Sequence, residues 1–349
     1  MSDNNKFTPI KTLGEYGLVD QIKLQARNKN KNTIKGIGDD AAVINVSKKE
    51  SIVVSTDMLT EGVHFDLMYT PLLHLGYKAV TSNLSDIYAM NAKPEQILVS
   101  IAISNKFSVE AIEEVYRGIK KACDFYEVDL IGGDTTTSGS GLMISITAIG
   151  RTPPQKLTYR NTAKKGDVLM VSGDLGSAYL GLQILEREKA VFKENPNMQP
   201  QLREHQYILQ RQLRPEARKD VFKMLEEMQV IPTAMIDISD GLASEVLHIC
   251  QQSKVGAVIY EEKIPIDPSA VEMSCDFNIN PTTCAMNGGE DYELLFTIKA
   301  TELTKFKNHP HFTNLGEIVS EKEGANLILK GGNNYKITAQ GWDPLLEKD

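Results

Sequence analysis

Apolar residues occur in short β-like runs separated by longer stretches of helical spacing. SIVVSTD at 51–57, QILVSIAIS at 96–104, VDLIGG at 128–133 and LMISITAIG at 142–150 read as strands. Between them, residues 72–91 repeat apolar positions at helical spacing, and 109–126 read as an amphipathic helix. Pro153 and Pro154 break the pattern, and a basic-polar stretch follows. A boundary there predicts an N-terminal domain over 1–152 and a C-terminal domain over 153–349. In the second half, 167–173 reads as a strand and Gly176 opens a helix to about Glu188. Residues 190–204, with Pro196 and Pro200, read as a polar loop. A helix is expected over 215–228, with Pro215 in its first turn. A strand over 234–239, a helix over 241–252 and a strand over 293–300 follow. This mixture predicts α/β or α+β layers in each half.

Composition narrows the class. With 349 residues, 41% hydrophobic and 24% charged, the chain is long enough for two domains with real cores. The net charge of −8 disfavours a nucleic-acid partner held by charge, and phosphate chemistry on such a chain calls for divalent cations. No run of 18 apolar residues occurs, so no membrane span is expected. The N-terminal segment lacks the pattern of a secretory signal, and the four cysteines show no C-x-x-C spacing. A cytoplasmic protein with reduced thiols is expected.

Candidate chemistry concentrates in four acidic clusters where strands or turns end. They are IGDDAAVI with Asp39 and Asp40, STDMLTEGVHF with Thr56, Asp57 and His64, NLSDIYAM with Asp86, and DISDG with Asp237 and Asp240. Two glycine-containing turns, GGDTTTSGSG at 132–141 and NGGEDYELLF at 287–296, accompany them. Asp86 is the most informative residue. Asn83 and Asp86 fall on the same helical face as Leu72, Leu75, Ala79, Val80, Leu84, Ile87 and Met90. A carboxylate inside an apolar stripe is costly unless paired or metal-bound. A frayed helix end or a buried ion pair is the plainer alternative. Asp39–Asp40 alone reads as an Asx-type turn, and DISDG alone as a helix cap. Together, hard oxygen ligands without Cys or His sets point to Mg²⁺ rather than zinc. P-loop, protein-kinase, Rossmann, G-x-S-x-G and H-E-x-x-H patterns are all absent.

The ordered blocks LGEYGLVDQI, IGDDAAVI, STDMLTEGVHF, GYKAVTSNLSDIYAM, GGDTT, SGDLGSAYLGL, LRPEAR, DISDGL, GGEDYELLFT and a late GW resemble the thiamine-monophosphate kinase family. That family lies in the superfamily that includes aminoimidazole ribonucleotide synthetase and selenophosphate synthetase. The resemblance implies ATP-dependent phosphorylation of thiamine phosphate to thiamine diphosphate, with no covalent protein nucleophile. It implies a homodimer whose N-terminal halves share a β-barrel with flanking helices, each followed by an α/β domain. It implies Mg²⁺ ligands at Asp40, Ser55, Thr56, Asp57, Asp86, Asp134, Asp237 and Asp240, with Asp57, Asp134 and Asp240 assisting catalysis. Tyr116, Gly133, Asp134, Arg160 and Ser239 match nucleotide contacts, and His64, Glu290 and Trp342 match substrate positions. An aminoimidazole ribonucleotide synthetase-like ligase or cyclase is the alternative. EGVHF followed by the late GW argues against it. A reactive cysteine expected of a selenophosphate synthetase is missing near the N-terminus, where the first cysteine is Cys123.

Overall fold

The computed structural model describes residues 12–26 and 28–339. The N-terminal half contains α1 (Gly14–Gln25), β1 (Thr33–Lys35), β2 (Ala42–Asn45), β3 (Ser51–Thr60), α2 (Leu72–Ala89), β4 (Lys93–Ile103), α3 (Val109–Tyr126), β5 (Asp129–Thr137) and β6 (Leu142–Thr152). Its strands form one sheet in the order β1-β2-β3-β6-β4-β5. Only β4 and β5 run parallel, as a pair joined by the crossover helix α3 must. The sheet is open. The barrel expected from the resemblance is not closed by this chain, because β5 is an edge strand and no described strand pairs with its outer side.

The C-terminal half contains β7 (Asp167–Ser172), α4 (Ser177–Glu194), α5 (Gln206–Leu213), α6 (Lys219–Glu227), β8 (Ala234–Asp237), α7 (Leu242–Ser253), β9 (Val255–Tyr260), α8 (Pro268–Asp276), α9 (Pro281–Asn287), β10 (Leu294–Lys299), β11 (Phe312–Ser320), β12 (Ala325–Ile328) and β13 (Asn334–Lys336). Its sheet runs β13-β12-β9-β11-β7-β10-β8 and is antiparallel except for β9–β12. β7 is buried on both faces. Val168 and Met170 join a core with the N-terminal sheet, while Leu169 and Val171 pack in a second core with α7. The two halves are therefore welded by shared apolar packing.

Helix α2 is the internal strut of that weld. Fourteen of its 18 residues are buried, far more than an amphipathic surface helix would bury. Glycines let it approach α3 closely. A Cβ at Gly76 would overlap the Val115 carbonyl oxygen, and one at Gly118 the Leu73 carbonyl oxygen. Ser85 on α2 donates to Asp237 Oδ2 at the end of β8 across 2.6 Å, so the helix also ties the two sheets by a polar bond.

Three local expectations change. GGDTTT is not a turn: β5 runs straight through it, because Gly133 lies against β4 where any Cβ would overlap the Val99 carbonyl oxygen. The helix from Gly176 continues to Glu194, into the stretch expected to be loop. The helix expected over 215–228 begins only at Lys219. Residues 215–218 instead place the Ala217 amide on the Tyr126 hydroxyl at 2.8 Å and turn Arg218 inward onto Glu293.

Candidate active site

Four separate segments bring their acidic groups to the junction between the sheets. Asp40 precedes β2, Asp86 lies in the last turn of α2, and Asp237 ends β8. Their carboxylate oxygens all lie within 4.8 Å of one another. Asp57, on β3, receives Coulombic repulsion from Asp240 and Glu15 and contributes to that felt by Asp86 and Asp237. The burial of α2 explains the placement. The helix is buried around most of its girth, so Asn83, Ser85 and Asp86 in its C-terminal half all reach the junction, where they meet the Asp57 amide, Asp237 and the Ser55 hydroxyl respectively.

Burial dominates the electrostatics. It pushes the Asp40 carboxyl up to about 7, with Asp237 and Asp39 adding repulsion against the opposing pull of Arg160. It pushes Asp57 up to about 6, helped by Glu15 and Asp240. Asp237 also rises to about 6 through burial, opposed by the Ser85 hydrogen bond. Asp86 is raised well above the ordinary carboxylate range by burial and by Asp57, Asp237 and Asp40. Carboxylates gathered this closely repel one another, and a bound cation would offset that repulsion. Asp40 Oδ2 is buried without a hydrogen-bond partner, an oxygen ready for a cation.

The surroundings fix these groups. The Ser55 hydroxyl donates to Asp86 Oδ2 and approaches the Asp40 carbonyl oxygen at 3.1 Å. The Asp57 amide donates to Asn83 Oδ1 at 2.9 Å. Arg160 pairs with Asp40 and, at 3.7 Å, with Asp39, whose other oxygen pairs with Lys35 at 2.7 Å. The Tyr16 hydroxyl donates to Asp240 Oδ2, and the Asp240 amide donates to Glu245 Oε1 at 3.0 Å. Thr56 alternates to the other side of β3, where its hydroxyl donates to the Ile146 carbonyl at 3.1 Å. Its side chain is therefore not gathered with Ser55 and Asp57.

Glu290 forms a second focus. Its two carboxylate oxygens are held by Lys78 Nζ and by Gln212 Nε2, each at 2.8 Å. Its amide donates to the Ser239 carbonyl oxygen at 2.7 Å, which ties this loop to DISDG. His64 Nδ1 accepts from the Thr60 amide at 3.0 Å. Burial lowers the His64 pKa, with Glu290 opposing and Lys78 assisting, so it shares the field of this pair. Lys78 was missed by sequence reasoning, yet a signal existed: Lys78 and Asp86 are the only Lys, Arg, Asp or Glu residues in α2. Glu245, Gln212 and Tyr16 were also missed and carry no comparable signal.

Tyr116, Gly133 and Asp134 lie elsewhere in the chain. They line a groove of about 560 Å³ with Val99, Leu130, Ile131, Gly132 and Thr135. Asp134 pairs with Ser100, Ser100 with Ser145, and Ser145 with Met58, next to Asp57. Three strand spacings, about 14 Å, thus separate β5 from β3. Within one chain Asp134 is not gathered with Asp40, Asp86 and Asp237. Trp342 lies outside the described residues.

Residues 38–152 match the AIR synthase related protein, N-terminal domain, and residues 164–324 match its C-terminal domain. A thiamine-monophosphate kinase of Aquifex aeolicus is 35% identical over 334 residues, covering 95% of this chain and 98% of that protein. The chain belongs to the thiamine-monophosphate kinase family. A Bacillus subtilis thiamine-monophosphate kinase is 35% identical over 84% of this chain and 88% of its own length. Among solved structures, AaThiL complexed with AMPPCP and TMP superposes with a TM-score of 0.81 at 32% identity, covering 97% of this chain and all of that one. The thiamine-monophosphate kinase of Stenotrophomonas maltophilia superposes with a TM-score of 0.70 at 30% identity, covering 93% of this chain and 98% of that one. Hydrogenase maturation proteins named HypE, at 16–18% identity, share the family's fold.

Proposed function

We propose that this chain transfers a phosphoryl group from ATP to thiamine phosphate, giving thiamine diphosphate. The observation that carries the reading is the convergence of Asp40, Asp86 and Asp237 within 4.8 Å, with one buried oxygen of Asp40 unpartnered. Membership of a kinase family whose relative binds AMPPCP and TMP supports the substrates. An all-oxygen donor set with buried charge and no Cys or His fits Mg²⁺. Asp40, Asp86 and Asp237 would hold it, with Ser55, Asp57 and Asp240 completing the set and Thr56 offering backbone oxygen only. Bound there, Mg²⁺ would screen the repulsion between two polyanions and orient the transferred group.

The chain's own residues do the rest. The acceptor is already a phosphate oxygen, so no strong base and no covalent nucleophile is needed. Arg160 anchors Asp40 and presents a guanidinium fork suited to phosphate. Ser239 and the groove at Tyr116, Gly133 and Asp134 would take the nucleotide. His64 and Glu290 would meet thiamine phosphate, with Trp342 stacking on one of its rings. Asp57, Asp134 and Asp240 would assist transfer by charge.

The same reading divides the chain at residue 152 into a metal, nucleotide and dimerisation domain and a C-terminal domain. It also makes the protein a homodimer. The support is β5: every residue of this edge strand is exposed, including Leu130 and Ile131. An exposed apolar edge is a template for pairing with another strand. A second copy would extend the open sheet toward a shared barrel and bring further residues to the groove. No described helix is long and apolar enough to cross a membrane.

The test is turnover at fixed ATP and Mg²⁺, with thiamine phosphate, thiamine and an aminoimidazole precursor compared and products identified by mass. Thiamine diphosphate from thiamine phosphate alone is expected. Product from the aminoimidazole precursor would move the function to a synthetase-like ligase or cyclase.

A further inference from the structure

Beneath Glu290 lies a buried charged quartet that the proposed chemistry does not use. Asp291 and Glu293 are completely or almost completely buried. Arg211 reaches Glu293 Oε1 at 3.1 Å and Asp291 Oδ1 at 3.7 Å, and Arg218 closes on the other oxygen of Glu293. Ser172 donates to Glu293 as well. Asp291 Oδ2 accepts the Gly176 amide at 2.8 Å, capping the N-terminus of α4, which has no capping side chain of its own. Two buried carboxylates and two arginines thus meet largely out of water, with Asp220 pairing with Arg218 at 2.8 Å on the exposed side, and removal of one partner from such a cluster is disruptive.

The loop that this quartet grips is strained. Glu290 and Tyr292, on either side of Asp291, both have left-handed backbones with φ of 58° and 52°. Non-glycine residues hold that conformation only where surrounding contacts impose it. The Glu290 and Tyr292 amides donate to the Ser239 and Ile238 carbonyl oxygens at 2.7 and 2.9 Å, and the Asp291 side chain is anchored between them. Helix α5 adds a second hold, since Arg211 grips Asp291 while the next residue, Gln212, holds the Glu290 carboxylate.

We propose that Asp291 and Glu293, clamped by Arg211 and Arg218, are positioning residues that hold Glu290 at the acceptor side of the cleft and so set affinity for the cationic acceptor. This inference rests on the reading of thiamine phosphate as acceptor. The quartet touches neither substrate and acts only through Glu290.

The test is a double-mutant cycle on the full chain with Asp291→Asn and Glu290→Gln, reading KM for thiamine phosphate, KM for ATP and Tm. Asp291→Asn is expected to raise KM for thiamine phosphate about 10-fold while moving KM for ATP less than about 2-fold. In the Glu290→Gln background the same change should add less than about 2-fold, because its effect runs through a group already removed. Equal rises in both KM values, or full additivity, would overturn the proposal in favour of a purely structural quartet. Arg211→Lys keeps the charge but loses the fork, and should show the same split at smaller size if Asp291→Asn does not fold. Should the wild-type chain not use thiamine phosphate, the functional reading fails by itself. Hydrogen exchange at the Glu290 and Tyr292 amides then decides the positioning role: faster exchange in Asp291→Asn, or in Arg211→Lys if that is the variant that folds, at unchanged Tm upholds it, and unchanged exchange refutes it.

Discussion

Asp86 shows how a single residue carries both cost and use. Its carboxylate sits among Asp57, Asp237 and Asp40, which oppose its charge, while the Ser55 hydrogen bond favours it. Asp86→Asn is expected to lower kcat by about 10²-fold or more, since it removes charge from the cation site. The same change should leave the Tm of metal-free protein unchanged or raise it, because it removes a carboxyl that burial and its acidic neighbours penalise, whether it is charged or forced to bind a proton. Turnover and calorimetry on one preparation check both halves. The pH dependence has a definite sign. Asp40, Asp57 and Asp237 have folded pKa values raised to about 7, 6 and 6, so the metal-free folded state binds more protons than the unfolded chain. Their contribution to stability is fully present below about pH 4 and is lost as pH rises through 6 to 7. Metal-free Tm should therefore carry a falling component over that window, and saturating Mg²⁺ should cancel it. A metal-free slope identical to that of the Mg²⁺-loaded protein would refute the linkage. At this scale the sequence exposed Asp86 through its apolar stripe. It hid Glu245, whose buried Oε1 meets the Asp240 amide only after α7 has packed.

Elements were legible where periodicity was long and obscured where a backbone contact decided. The runs that become β3, β4, β6 and β7 and helices α2 and α3 all announce themselves by pattern. GGDTTT did not, because glycine and threonine spell a turn until the neighbouring strand is present. In the fold, Gly133 is what allows β5 to lie against Val99. Gly133→Ala should destabilise the protein by about 1–3 kcal/mol, the range for forcing extra atoms into a packed contact. Urea unfolding measures it, and an unchanged midpoint would show that β5 yields freely. The delayed start of α6 has a similar cause. Helix propensity would start it at Pro215, but the Ala217 and Arg218 contacts hold residues 215–218 out of it.

For the whole molecule, the open sheet and the placement of Asp134 raise one question together. A chain whose edge strand exposes Leu130 and Ile131 in the lining of the proposed nucleotide groove leaves apolar surface where a second copy fits. Sedimentation should give twice the mass of one chain, and Ile131→Lys should shift it toward one by placing an unpaired charge on the edge. A monomeric wild-type protein would remove the dimer from the proposal. The welded core matters here too. With α2 packed between both sheets and Ser85 bonded to Asp237, the acidic groups cannot separate by free rotation of two domains.

The chain by itself determined which stretches alternate and which repeat at helical spacing, and therefore most strands and helices. It also determined the chemical type of the site: clustered carboxylates, no cysteine before Cys123 and no phosphate-binding P-loop. These are local properties, set by side-chain type and spacing along a few turns or strand repeats. Tertiary structure alone decided which carboxylates meet. Asp40, Asp86 and Asp237 converge because a buried helix crosses between two sheets, while Asp134, another carboxylate of the same motif set, is left on a distant edge. It also decided that Lys78, Gln212, Arg211 and Arg218 serve the Glu290 loop. Convergence depends on topology, and topology is fixed by the burial of apolar faces far from the residues it brings together.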